Sequence, residues 1–170
     1  VLVTNNIDAV MPTIVSRCQY FKLSNLDAYF DNTISNVMKI YNKYNFDLKK
    51  NNIEDYIILV IDFISYYENN GRDLIVFLKN KWHDKVSDRS CYLFCFNLII
   101  NFYYDVLKVK IGKDICFFTD YKENVNKVVY MLSFDEIIKR ISIYNKYLEL
   151  IKYNLNLNLL MDRLVVEFGE

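Results

Sequence analysis

The strongest constraint on the fold is an apolar run at residues 90–107, SCYLFCFNLIINFYYDVL. Its polar residues Asn97, Asn101 and Asp105 recur every four positions and would form one narrow stripe on a helix. A membrane-spanning helix needs about 20 apolar residues, whereas this run is shorter and carries the stripe. The run therefore predicts a helix that is buried on most sides. For the stripe, we favour local hydrogen bonds over a subunit contact.

Residues that form turns are scarce, because the 170 residues include only three glycines and one proline. Apolar residues make up 53% of the chain, which is too many for a disordered protein. Long helices therefore suit the sequence better than many strands and tight hairpins. The spacing of apolar side chains predicts helices at residues 26–44, 53–67, 72–82, 90–107, 121–132, 134–151 and 157–168, with a loop at 109–120.

Composition also excludes several kinds of site. The 21 basic and 21 acidic residues balance, so net charge does not indicate strong attraction to nucleic acid. No glycine-rich phosphate-binding motif is present. The single histidine, His83, lies in KNKWHDK and is predicted to occupy a solvated helix end, so no catalytic triad can be assembled. The 15 tyrosines and 12 phenylalanines fall mostly at helical core spacing, which favours packing over base stacking.

The four cysteines are predicted to be reduced, buried packing residues. They are Cys18, Cys91, Cys95 and Cys116, and none forms a CxxC pair. Cys91 and Cys95 would face the same side of a helix, but a metal site needs more ligands. We therefore predict no metal site.

The first 23 residues differ from the helical remainder. They contain an apolar strand at 1–3, the polar pair Thr4 and Asn5, a short helical or turn segment, the tripeptide Ser16-Arg17-Cys18, and a second strand-like piece at 20–23. The chain begins inside the first strand, so we expect it to be a piece of a longer protein whose missing part pairs with that strand. Residues 24–50 would then form a short helical segment.

This order resembles the end of the ATPase core in the clamp-loader branch of the AAA+ family. In that family a strand ends in a polar sensor residue, and Ser-Arg-Cys follows about a dozen residues later. By this resemblance, Thr4 and Asn5 match the sensor position, although a simple turn-capping role stays open for them. Arg17, between Ser16 and Cys18, matches the arginine finger that reaches into a neighbouring subunit's nucleotide site. The alternative for Arg17 is a surface ion pair of little energetic value.

Two further stretches resemble the delta-prime subunits of that branch, which belong to the bacterial DNA polymerase III holoenzyme. Residues 105–112, DVLKVKIG, are similar to a turn in the C-terminal collar domain. Residues 154–168, NLNLNLLMDRLVVEF, are similar to that domain's closing helix. The segment at 24–50 departs from the family, because it is short and lacks the glycines usual in the helical lid.

The resemblance implies a mainly α-helical fold, in which a short strand remnant of an AAA+ core is followed by an all-helical collar-type bundle. The implied division is residues 1–23 for the end of the ATPase core, 24–50 for a reduced lid, and 51–170 for the collar, which serves oligomerisation. The implied function is that of a cytoplasmic clamp-loader subunit in DNA replication, with gamma/tau-type and delta-type subunits, the sliding clamp and primed DNA as partners. No cofactor is expected in this part of the chain, because ATP and Mg²⁺ would bind only in neighbouring subunits.

Two alternatives remain open from the sequence. The first is the ATP-hydrolysing gamma/tau-like paralogue of the loader, which shares Ser-Arg-Cys and would carry an intact phosphate-binding loop in its missing N-terminal part. The second is a helical interaction module unrelated to replication, in which Arg17 has no catalytic role. In either case we expect no independent enzymatic activity from these 170 residues.

Overall fold

The computed structural model describes residue 11 and residues 32–44, 53–69, 74–153 and 155–169. This part of the chain is mainly helical and contains no strand. Its helices are α1 (Thr33–Tyr44), α2 (Ile53–Asn69), α3 (Leu74–Phe77), α4 (His83–Lys85), α5 (Arg89–Lys110), α6 (Lys122–Met131), α7 (Phe134–Ile151) and α8 (Leu157–Gly169). The prediction of a helical chain is confirmed, whereas the strands predicted at residues 1–3 and 20–23 lie outside the described residues.

Helix α5 is the centre of the core, as its apolar composition predicts. It packs most extensively against α7 and also against α6, α1 and α2. Most of its side chains are buried, including Phe94, Cys95, Leu98 and Phe102, whereas the side that carries Asn97, Asn101 and the exposed Tyr104 is not. Because the polar stripe is narrow, the rest of α5 needs neighbours to bury it, and these four helices supply them.

The ends of α5 are fixed by local hydrogen bonds. At its start, the Asp88 side chain accepts a hydrogen bond of 2.9 Å from the backbone N–H of Cys91. At its end, Gly112 adopts a φ of +76°, which favours glycine, and Lys113 N–H donates to the carbonyl of Lys108 at 2.8 Å. The helix therefore runs to Lys110, slightly beyond the predicted start of the loop.

Between α3 and α4 the chain forms a π-helical turn, Leu78–Trp82, so that residues 74–85 are helical without a break. The N–H of His83 donates to the carbonyl of Leu78, five residues earlier. Leu78 and Trp82 are both buried. π-Helical turns occur frequently at functional sites, so the surface beside this turn is a candidate site.

Helix α7 begins with a capping box. The Ser133 hydroxyl accepts from the N–H of Glu136, and the Glu136 carboxylate accepts from the Ser133 N–H at 2.7 Å. The buried side of the helix carries Ile137, Ile141, Tyr144, Tyr147 and Ile151. The apolar spacing predicts that Phe134 and Ile138 also belong to this side, but both are exposed.

Candidate protein-interaction surface

The predicted site residues Thr4, Asn5, Ser16, Arg17 and Cys18 lie outside the described residues. Their roles stay predictions. In the described part, the polar and ionisable groups form internal clusters. Exposed apolar residues form a separate surface.

The most buried charged cluster joins α2, α5 and α7. Arg140 donates to the Glu68 carboxylate through Nε at 3.2 Å, and the Tyr103 hydroxyl donates to the same carboxylate oxygen at 2.5 Å. The guanidinium also lies 4.6 Å from the ring centre of Tyr67. The side chain of Glu68 is only 3% exposed and that of Arg140 17% exposed.

This cluster is suited to holding helices together. Burial alone would lower the pKa of Arg140, but the charge of Glu68 and its hydrogen bond raise it on balance. Burial raises the pKa of Tyr103 far above its usual range, so this phenol stays protonated. A carboxylate with these partners, and closed to solvent, has no opening through which a substrate could reach it.

A second carboxylate, Asp105 on α5, organises the loop that follows the helix. It is 1% exposed and accepts hydrogen bonds from the backbone N–H groups of Cys116 at 3.1 Å, Phe117 at 2.8 Å and Phe118 at 2.7 Å. Lys108 lies 3.8 Å from it. The carboxylate thereby fixes residues 116–118 against α5, within the loop that the sequence predicts at 109–120.

The other members of the polar stripe bond locally, as predicted. The Asn97 side chain donates to the carbonyl of Leu93 at 2.7 Å, and the Asn101 side chain donates to the carbonyl of Asn97 at 2.8 Å. These are bonds to the preceding helical turn, so neither asparagine requires a subunit contact to be satisfied. Asp105 differs from them because it reaches a separate segment of the chain.

Helix α1 is attached to the same loop by side-chain hydrogen bonds. The Asn36 amide donates to the carbonyls of Cys116 and Phe117 at 3.2 and 3.3 Å. Thr33 and Asp120 bond reciprocally, since each backbone N–H donates to the other's side chain, at 2.8 and 3.1 Å. The partners in these bonds are at least 80 residues apart in sequence, so the contacts close the fold around α5.

The stretch that contains His83 lies at the end of a helical run and is largely exposed, as predicted, but His83 itself is mostly buried. Its side chain is 18% exposed, with Nε2 3.9 Å from the Asp162 carboxylate of α8 and Nδ1 3.4 Å from the Tyr92 hydroxyl. Tyr92 in turn donates to the Asn158 side chain at 3.1 Å, and burial raises its pKa to about 12. The group links α4, α5 and α8, and these contacts bring no serine or cysteine nucleophile to the histidine.

Two of the three cysteines among the described residues are buried, as predicted, and the third is not. Cys91 and Cys95 are buried and Cys116 is half-buried, and all three are free thiols. Burial raises the pKa of Cys91 and of Cys95, which lowers their reactivity. No group of three or more potential metal ligands occurs in the part of the chain that the structure covers.

The surface beside the π-helical turn forms two adjoining shallow grooves of about 270 and 300 Å³. Both are lined by Asn80 and Lys81. The Lys81 ammonium lies 3.6 Å from Asp62 and 5.9 and 5.6 Å from the ring centres of Tyr66 and Phe77. The lysine is thus occupied by groups of the groove itself.

Five large exposed apolar residues lie at the end of α5 and around the turn between α6 and α7. We call this surface the α6–α7 corner and define it as Ile111, Tyr130, Met131, Phe134 and Ile138. Tyr130 is 89% exposed, although it lies in a regular helix. No pattern in the sequence predicts this surface, because the side of α7 that faces the core is decided by its packing against α5.

Comparison of the chain with family models, with curated proteins and with solved structures finds no match. Among the described residues, α5 is long and apolar enough to cross a membrane by length and composition. About two-thirds of its most apolar stretch is buried inside the fold, as in the core helix of a soluble protein.

Proposed function

We propose that this chain is the C-terminal part of a delta-prime-like subunit of the bacterial clamp loader, acting in the cytoplasm during DNA replication. In this role it assembles with gamma/tau-type and delta-type subunits and helps to load the sliding clamp of DNA polymerase III on primed DNA. Arg17 contributes an arginine finger to the ATP site of a neighbouring subunit. The helical part supplies surface for assembly and no chemistry of its own.

The observation that carries the proposal is the position of the collar-like sequence DVLKVKIG, residues 105–112, in the fold. It forms the last turns of the buried central helix and the turn that follows. Asp105 anchors the next loop through three backbone N–H groups, and Gly112 has the positive φ that ends the helix. These two residues hold specific structural positions, as expected of a motif that defines a domain.

The distribution of ionisable groups gives additional support. In the described part, Glu68, Asp105 and Arg140 are each engaged by neighbouring helices or loops. By contrast, the α6–α7 corner leaves large apolar side chains in solvent. Such an arrangement is suited to binding other proteins and unsuited to independent catalysis.

The test is ATP turnover by the complete loader, reconstituted with the full-length chain and its partner subunits on primed DNA. Arg17→Ala should reduce turnover by a factor on the order of 10³ or more, because the finger stabilises charge that develops on the transferred phosphoryl group. Arg17→Lys should recover little, since an ammonium cannot grip two oxygens as a guanidinium does. Arg163→Ala, an exposed arginine on α8, is the matched control and should leave turnover unchanged.

The three results separate the possibilities. A loss restricted to the Arg17 variants, with assembly intact, supports the proposal. Wild-type turnover by the Arg17→Ala loader would overturn the role of Arg17, and failure of the wild-type chain to join the loader would overturn the proposed function.

A further inference from the structure

Helix α8 is held against the fold by an apolar side and, among the described residues, by polar contacts near each end. The side chains that it buries are Leu160, Met161, Leu164 and Val165. Near its end, the Glu167 carboxylate accepts hydrogen bonds from the Lys146 ammonium at 2.7 Å and from the Tyr147 hydroxyl at 2.6 Å. These two donors lower the pKa of Glu167, so its carboxylate stays ionised between about pH 5 and pH 8.

The contact near the start of α8 contains the single histidine of the sequence, His83. Its Nδ1 lies 3.4 Å from the Tyr92 hydroxyl, which donates its own proton to the Asn158 side chain at 3.1 Å. Because a hydroxyl has only one proton, the ring has to donate to Tyr92 through Nδ1. In the neutral imidazole this is the only N–H, so Nε2 presents a lone pair to the Asp162 carboxylate.

Proton uptake at Nε2 changes this contact from weakly repulsive to attractive. Nε2 lies 3.9 Å from Oδ1 of Asp162, which is too far for a hydrogen bond. In the imidazolium both ring nitrogens donate, so Nδ1 keeps its bond to Tyr92 while Nε2 gains a partner of opposite charge. The side chains of His83 and Asp162 are 18% and 46% exposed, so protons reach the ring from solvent without unfolding.

The groups around the ring leave the histidine as the one that changes charge near neutral pH. On α5, burial raises the pKa of Tyr92 to about 12 and the pKa of the Cys95 thiol well above its usual range, so both stay protonated. On the histidine's own helix, Asp84 and Lys85 are exposed and carry opposite charges. Histidine is the side chain whose charge ordinarily changes between about pH 5 and pH 8.

We propose that His83 is a proton-sensitive switch that controls how firmly α8 is attached to the fold. With His83 protonated, its pair with Asp162 holds the first turns of α8 against α4 and α5. The pair therefore stabilises the attached helix at low pH, and this contribution is lost as the pH rises and the imidazole loses its proton. With His83 neutral, α8 opens more often and exposes the apolar side that carries Leu160 and Met161. The inference does not depend on the clamp-loader role.

The test is hydrogen–deuterium exchange of the full-length chain, followed by mass spectrometry of peptides that cover residues 157–169. Protection factors, corrected for the intrinsic exchange rate at each pH, should fall about two- to fivefold between about pH 5.5 and pH 8, as expected for loss of a partly exposed ion pair. His83→Gln and Asp162→Asn should abolish this fall, because they remove the titrating ring and its carboxylate partner. Glu167→Gln is the matched control, because it weakens the other contact of α8 and should lower protection equally at both pH values.

The position of the proton is checked by nitrogen-15 NMR of the imidazole. At high pH the His83 ring should carry its proton on Nδ1, and Tyr92→Phe should remove this preference because the acceptor is lost. A neutral wild-type ring protonated on Nε2 would overturn the switch, since it would already donate towards Asp162.

The exchange results separate the remaining outcomes. A fall in protection that occurs in the wild type and in Glu167→Gln, but not in His83→Gln or Asp162→Asn, supports the switch. Equal protection of wild-type α8 at both pH values overturns it, and so does an undiminished fall in His83→Gln. If His83→Gln does not fold, Asp162→Asn decides, because this side chain is half-exposed and its replacement is mild. A fall of wild-type size in Asp162→Asn then overturns the switch, and its absence supports it.

Discussion

Replacing Arg140 with methionine should destabilise the fold more than any exposed charge substitution. Arg140→Met keeps an unbranched apolar side chain but removes the guanidinium that faces Glu68 at 3.2 Å. The carboxylate then stays buried at 3% exposure with the Tyr103 hydroxyl as its remaining donor in the cluster. A charge left inside the protein without its counter-charge is strongly unfavourable.

The expected loss is about 3–5 kcal/mol in the free energy of unfolding, the range for a buried pair that loses one partner. Loss of the guanidinium contact with the Tyr67 ring, at 4.6 Å, adds about 0.5–2 kcal/mol at most. Glu68→Gln should be milder than Arg140→Met, because Arg140 is 17% exposed and can turn towards water. The double variant should recover at least half of the loss, since no uncompensated charge remains.

The measurement is urea unfolding followed by far-UV circular dichroism. With a denaturant slope of about 2 kcal/mol/M, Arg140→Met should lower the midpoint by about 1.5–2.5 M. Lys146→Met is the control: Lys146 pairs with Glu167 at 2.7 Å but is exposed, so its loss should stay below about 1 kcal/mol.

A loss in the free energy of unfolding below about 1 kcal/mol for Arg140→Met would contradict a buried pair, because an exposed ion pair contributes no more than that. The same conclusion would follow if adding Glu68→Gln to Arg140→Met recovered none of the lost free energy of unfolding. In either case the carboxylate would have to be solvated, and the cluster would not be the polar centre that holds α2, α5 and α7 together.

Three smaller predictions concern single residues. Asp105→Asn should lower the free energy of unfolding by about 2–4 kcal/mol, because one amide oxygen replaces two carboxylate oxygens that serve three N–H groups; an unchanged urea midpoint would contradict this. Gly112→Ala should lower it by about 1 kcal/mol, or about 2–4 °C in Tm, because only the positive φ and no neighbouring atom opposes the added carbon. In a Cys18→Ser background, a thiol reagent should modify Cys116 first and Cys95 only on unfolding, because Cys95 is buried. Equal rates of modification of the two thiols in the folded protein would contradict this difference in burial.

Helix positions and caps were accessible from the sequence because their causes are local. The apolar run at 90–107 predicts the central helix, since each of its sides needs burial. Ser133 and Glu136, three residues apart, carry the pattern of the capping box that opens α7. The interruption at 152–156 follows from a cluster of asparagines, and α8 begins at Leu157 as predicted.

The contacts between residues that are distant in sequence could not be predicted from the sequence. Glu68 and Arg140 are 72 positions apart, and each reads alone as an ordinary charged residue on a helix. His83 lies in a polar stretch, and only the packing of α8 brings Asp162 to it. The outward turn of Phe134 depends on which side of α7 meets α5, and that is decided by the sum of contacts along the helix.

These pairings and the exposed corner have a common physical basis. A carboxylate or guanidinium is stable inside a protein only when its partners are fixed, so each buried charge also fixes the helices that carry the partners. Rigid helices in turn hold Tyr130 and Phe134 in solvent, where a mobile backbone would let such side chains collapse onto the core. In the proposed loader, loosening the internal cluster should therefore weaken assembly even though Arg140 is not a residue of the α6–α7 corner. Arg140→Met assayed below its unfolding transition should bind the proposed partner subunits less tightly than wild type, whereas Lys146→Met should bind them equally well.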